Sequence, residues 1–253
     1  MQDNSSSQTY HVYAFGTYPL GRRWHITTSS DKQNPIYYVS YHPFSTPQMR
    51  FYATSRSPFP RPQPGSLGLG LEMGAEQGET PVATIAFGGL GWLGGLGVGA
   101  TTVTFAVSNL GSVGSSPQSD EQGRGGEVRV ELQPNGAFKA GYTYISPTLA
   151  RTPGAGGEVL HWRGSNNSVL ESAHGVPLAR IIDSVGKWNK ICKIEVLDAI
   201  KTLAGETGSG EGGEAAVFEV LVMAIALVET RRRRAWWSFG WGGGGVGTSG
   251  WGC

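Results

Sequence analysis

The sequence predicts a mainly β protein: an antiparallel closed β-barrel of about 12 strands around a buried hydrophobic helix near the C-terminus. Three observations point there. Short segments rich in β-branched and aromatic residues recur along most of the chain, separated by Gly, Pro, Ser or Asn. Glycine is abundant, 40 of 253 residues, and charged residues make up only 15%, a balance that suits strands with long loops better than a helical bundle. One segment near the C-terminus, 214–230, breaks the pattern, being apolar with neither alternation nor Gly nor Pro.

The elements follow in order. Residues 1–9 are polar without an apolar core, so they read as a disordered tail and not as a secretory signal. Strands are expected at 10–15, 22–28, 36–42 and 49–53. The segment 55–66 carries four prolines and reads as loop. Further strands are expected at 81–87, 101–107, 127–132 and 137–145, with Gly-rich stretches at 88–100 and 111–126. The last group is 157–163, 168–173, 178–184 and 191–200. In 127–132 the alternation is strict, placing Val128, Val130 and Leu132 on one face of a half-buried strand.

Residues 205–213 read as a flexible linker, and 214–230 as a helix. Ala, Leu, Met and Glu favour it, and four valines count against it. Glu211 and Glu214 at its start and four arginines at its end complement the helix dipole. A helix apolar on every side must be buried on every side. A membrane span needs about 20 apolar residues. The run from Ala215 to Val228 holds about 14, even counting Glu219, so a core helix is the better reading and no transmembrane span is expected. A barrel of this many strands is too wide for its own side chains to fill, and a threaded helix would fill it. One domain over 10–235 and a Gly/Trp-rich tail over 236–253 complete the organisation.

This arrangement resembles the tubby C-terminal-like superfamily, which includes phospholipid-scramblase-like and LURP-one-related domains. It is most similar to a group of small fungal proteins of unknown function with the same fold. The residues that carry the resemblance are Trp24-His25-Ile26-Thr27, Gly157-Glu158-Val159-Leu160-His161-Trp162-Arg163, Leu178-Ala179-Arg180-Ile181 and the block from Phe218 to Arg234. The second is like the group's Gly-x-x-Tyr-x-Trp-Arg/Lys strand, with Leu160 in place of the aromatic. The Gly-rich stretches and the tail beyond Arg234 depart from the pattern. The resemblance implies a lipid- or membrane-binding module, since tubby domains bind phosphoinositides and scramblase-like members associate with membranes. No residue-by-residue match to a phosphoinositide pocket accompanies it.

The chemistry-bearing motifs are few. The formal net charge is +1, which gives no global field for nucleic acid, and no nucleic-acid partner is expected. Gly89, Gly91 and Gly94 match G-x-G-x-x-G, but a strand follows where a dinucleotide site needs a helix, so no cofactor is expected. The five histidines show no helical ligand spacing, and no metal site is expected. The serine nucleophile elbow is absent and no catalytic residue is assigned. Cys192 reads as an inert buried thiol, and with Cys253 as the only other cysteine a reducing, cytoplasmic setting is favoured. Glu219 reads as lying in the first helical turns near an opening, meeting solvent or an arginine.

One binding site is assigned. Arg231, Arg232, Arg233 and Arg234 attract anionic headgroups, and Trp236 and Trp237 prefer a membrane interface. Together they make a peripheral anchor for anionic phospholipid membranes, with Arg22, Arg23 or Arg50 extending the patch. Other readings stand beside it: the arginines cap the helix or form a nuclear localisation run, the tail is low-complexity, or the tryptophans pack back on the barrel. The expected function is therefore a non-catalytic binding domain. Its alternative is a protein-interaction or scaffold domain with no small-molecule site, and a hydrolase assembled from strand residues comes last.

Overall fold

A computed structural model describes residues 7–15, 22–28, 34–42, 45–54, 80–88, 100–106, 127–135, 141–149, 157–165, 167–184, 189–205 and 210–240. The side chains of 22, 205, 210, 211 and 236–240 lie outside the description. Twelve strands run β1 Ser7–Phe15, β2 Arg22–Thr27, β3 Tyr37–Tyr41, β4 Met49–Ala53, β5 Ala83–Phe87 and β6 Thr101–Ala106, then β7 Glu127–Pro134, β8 Tyr142–Ser146, β9 Glu158–Arg163, β10 Asn167–Ser172, β11 Pro177–Asp183 and β12 Lys190–Leu197. Two helices follow, α1 Ala199–Gly205 and α2 Gly210–Gly240. Each strand pairs antiparallel with its sequence neighbours, and β1 pairs with β12, so the sheet closes into a twelve-stranded up-and-down barrel. Closure gives every strand a neighbour on both sides, although β7 and β8 pair only at Gln133–Thr143 and Pro134–Tyr142.

Period-two alternation decides which side chains face in. Tyr37, Val39 and Tyr41 point inward from β3; Ala83, Ile85 and Phe87 do so from β5; Leu160 and Trp162 do so from β9. Outward positions are mostly polar, such as Ser40, Thr84, Thr102 and Thr104, and some carry paired charge, as in Lys193–Glu195 at 2.6 Å and Arg163–Glu171 at 3.1 Å. That is the inverse of the apolar belt with which a membrane barrel meets lipid.

The helix α2 fills the interior, and every residue from 215 to 230 is buried. One side chain spans a quarter of the wall: the Phe218 ring lies 5.3 Å from Tyr37 on β3 and 6.1 Å from Phe105 on β6. An apolar stripe on all sides is thus explained by burial on all sides. No helix of the described residues is long and apolar enough to cross a membrane.

Several sequence expectations are corrected. Residues 7–9, expected within the disordered tail, belong to β1, where Ser7, Gln8 and Thr9 pair with Leu197, Val196 and Glu195 to close the barrel. The run 191–200 is a strand only to Leu197; Ile200 and Ala204, four apart, then seat the short helix α1 in the core. The linker expected at 205–213 is already helical from Gly210. Glycine disfavours helix, and a Cβ at Gly213 would sit in ordinary van der Waals contact with Lys201 of α1, 3.7 Å away, so the α1–α2 packing does not require glycine there. At its far end the helix does not stop at 230 but continues to Gly240. The arginines therefore lie inside a helix and do not cap one. Residues 1–6, the Gly-rich stretches around 89–99 and 111–126, and the tail from 241 lie outside the described residues, as does the Gly89–Gly94 motif.

Candidate functional site

The antiparallel alternation brings the starts of β2, β4, β6, β8, β10 and β12 to one end of the barrel, together with the ends of their partners. The C-terminal half of α2 emerges there. Burial falls from complete at residues up to 230 to partial at Arg231, Arg232, Arg233 and Arg234, and Ala235 is exposed. Consecutive helical residues step about 100° around the axis, so four in a row reach every sector of the mouth.

Arg231 points to the β9–β10 side. It donates from Nη2 to the Gly164 carbonyl at 2.7 Å, from Nη1 to the Ser165 carbonyl at 2.6 Å, and from Nη1 to Ser168 Oγ. Gly164 has φ +91° and turns the chain so that its carbonyl faces the guanidinium. Arg232 lies over the Trp24 ring at 5.9 Å, and its Nη1 is buried without a hydrogen-bond partner. Arg233 lies 4.0 Å from the Phe87 ring centroid, donates to the Tyr41 hydroxyl at 2.9 Å, and pairs with Glu229 at 3.4 Å. Arg234 lies over Tyr142 at 5.0 Å. A ring of aromatic faces thus receives the guanidinium groups.

The local electrostatics follow from burial. The Tyr41 phenol is pushed up to about 12, chiefly by burial and then by Glu229, against the opposing pull of Arg233. Burial also raises the Asp183 carboxyl, although Arg231 and Arg232 pull it back down. Arg23, Arg50 and Lys190 stand at the strand starts of this same end. Asp183 at the end of β11, Glu131 near the end of β7 and Glu229 on α2 oppose them, leaving cations in excess among the described residues.

The sequence-assigned site is therefore divided. Arg231 and Arg233 spend their donors largely on the barrel rim, a role the sequence did not indicate. Arg232 and Arg234 stack on aromatic rings at the mouth. Trp236 and Trp237 fall on helical backbone, and their side chains lie outside the described residues. The sequence reading missed the rim partners Tyr41, Phe87, Tyr142, Gly164, Ser165 and Ser168. Their one signal was the aromatic at the terminus of each of β3, β5 and β8.

A second polar cluster lies deep in the barrel and corrects the reading of Glu219. This carboxylate is shut off from solvent and, among the described residues, meets no arginine. It is fully buried, and its Oε2 accepts from the Thr148 hydroxyl at 2.5 Å and the Thr148 N–H at 3.2 Å. Thr148 lies in the turn after β8, where Ser146 Oγ accepts from the Leu149 N–H at 3.2 Å. Burial pushes the Glu219 carboxyl up to about 7, against the opposing pull of the Thr148 and Ser146 hydroxyls. Cys192 is buried and free, as expected, and burial pushes its thiol well up. Among the described residues no group of three or more His, Cys, Asp or Glu side chains could hold a metal.

No family model, curated protein or solved structure matches this chain.

Proposed function

We propose that this chain is a non-catalytic binding domain that docks through its arginine end on anionic phospholipid surfaces. The observation that carries the reading is the unbroken run of α2 past the barrel mouth. From Arg231 to Gly240 the helix extends for about 15 Å at 1.5 Å per residue. Its root is a ring of four arginines and its tip carries Trp236, Trp237 and Phe239 in sequence. Basic groups attract anionic headgroups by about 1 kcal/mol each near the surface, and aromatic residues favour the interface. Arg23, Arg50 and Lys190 around the same mouth add to the attraction.

One observation favours a second reading, a protein-interaction domain. Ile145 and Val159 face each other across β8 and β9 and are exposed, as is Val176 in the β10–β11 turn at the same end. This apolar patch lies on the opposite end of the barrel from the arginines.

Co-sedimentation with vesicles separates the two. The full chain is expected to bind vesicles containing anionic lipid, to release in high salt, and to ignore neutral vesicles. A form ending at Ala235 keeps the rim contacts of Arg231 and Arg233 and loses the aromatic tip, so it should bind more weakly. The double variant Arg232→Ala/Arg234→Ala should lose roughly 30-fold in affinity, about 1 kcal/mol for each charge. Absence of binding by the full chain would remove the lipid reading and leave the Ile145–Val159 patch as the binding surface.

A further inference from the structure

Glu219 is the one carboxylate in the apolar stretch of α2, and its surroundings are unusual for a charge. Among the described residues, every group that bonds or borders its carboxyl is neutral: Thr148 and Ser146 from the turn after β8, and Tyr144 from β8 itself. The elements packed against this half of α2 present apolar side chains inward, among them Val103 and Phe105 from β6, Val130 from β7 and Ile194 from β12. Among the described residues, the other ionisable groups at this end include Tyr10 on β1, Tyr37 on β3, Glu127 on β7, Glu158 on β9, His174 in the β10–β11 turn, Asp198 before α1, Lys201 on α1 and Glu214 on α2. Lys201 and Glu214 are exposed, and no described salt bridge reaches Glu219.

Two buried oxygens in this cluster are left over. Glu219 Oε1 has no hydrogen-bond partner, and neither does the Tyr144 hydroxyl. The two groups are near enough to influence each other, yet they complete no bond of sound geometry. A carboxylate with one oxygen held by Thr148 and the other unsolvated is costly to keep charged, whereas a neutral acid has a proton on Oε1 to share with Tyr144.

We propose that Glu219 is a pH-operated latch: as the neutral acid it seats α2 against the turn 146–149, and loss of its proton to solvent loosens that seat. The unbalanced charge is relieved only when water reaches Oε1, and that requires the turn to move off the helix. This inference is independent of the lipid reading.

The sign follows from proton binding. The folded carboxyl titrates near 7 and the unfolded one near 4.5, so the closed form holds the extra proton between these values. The seat is fully favoured below about 4.5 and is lost as pH rises through about 7. An opening linked to one proton grows by at most tenfold per pH unit within that window, and by less near either end of it.

The test uses the full chain with carbon-13-labelled glutamate, and Glu219→Gln to assign the resonance. One carboxyl should titrate near pH 7 and be missing from the variant. Hydrogen exchange, corrected for its intrinsic pH dependence, should show protection of the Thr148 amide falling roughly 40-fold from pH 5 to pH 7 and levelling off above. In Glu219→Gln that protection should be flat. Thr148→Val removes a donor to the charged form and should move the midpoint higher. A glutamate titrating near the ordinary value, or the same exchange profile in the wild type and Glu219→Gln, overturns the latch. The wild-type titration stands by itself if a variant fails to fold.

Discussion

Replacing Phe218 by alanine tests how tightly the helix is held. The Phe218 side chain is 1% exposed and sits between Tyr37 and Phe105 on different strands, the second contact edge-on. Deleting a buried phenylalanine side chain costs about 3–5 kcal/mol, and less where the surroundings collapse into the void. The β3 to β6 wall around this ring is a continuous antiparallel ladder and has little room to collapse. The loss should therefore lie in the upper half of that range, about 4 kcal/mol, including about 1 kcal/mol for each aromatic pair. Urea unfolding followed by tryptophan fluorescence reads it as a lower midpoint with an unchanged slope. Ile145→Ala is the control, because Ile145 is 55% exposed and should lose less than about 0.5 kcal/mol. A Phe218→Ala loss no larger than the control's would refute the reasoning, since a helix outside the barrel would leave no such cavity.

Two further outcomes are expected. Arg231→Ala should destabilise the protein by about 2 kcal/mol, because the carbonyls of Gly164 and Ser165 lose charge-assisted donors; Arg231→Lys should restore little, because an ammonium lacks the planar fork, and equal stability of all three forms in urea would rule out an anchoring role. In a Cys253→Ser background, Cys192 should resist a thiol reagent until the protein unfolds, since burial both shields the thiol and raises it; rapid labelling of the folded protein would contradict its place in the core.

Much of this fold was legible because burial on one side imposes period two. The alternation of Val128, Val130 and Leu132 marked β7 directly, and twelve such segments with one all-apolar helix implied closure around a core. What stayed hidden depends on contacts remote in sequence. Ser7, Gln8 and Thr9 look like any polar tail until β12 offers them a ladder. Ile200 and Ala204 supply a helical spacing too short to outweigh the strand-like residues before them. Arginine is a good helix former, so Arg231 to Arg234 gave no stop signal by propensity, and reading them as an end relied on charge alone. The partner of Glu219 lies 71 residues away in a turn, and no local pattern announces it. The aromatic ring around the mouth was visible only as scattered strand-end residues, since register had to bring Tyr41, Phe87 and Tyr142 to one end.

The central claim is that the barrel is built around α2, and native-state hydrogen exchange resolved by residue tests it most directly. The amides of 215–230 should be among the slowest in the chain, opening only with global unfolding and with the same free energy as those of β3 and β9. Exchange of that segment through a separate, cheaper opening while the strands stay protected would contradict the account, because the helix would then be a removable part and not the core.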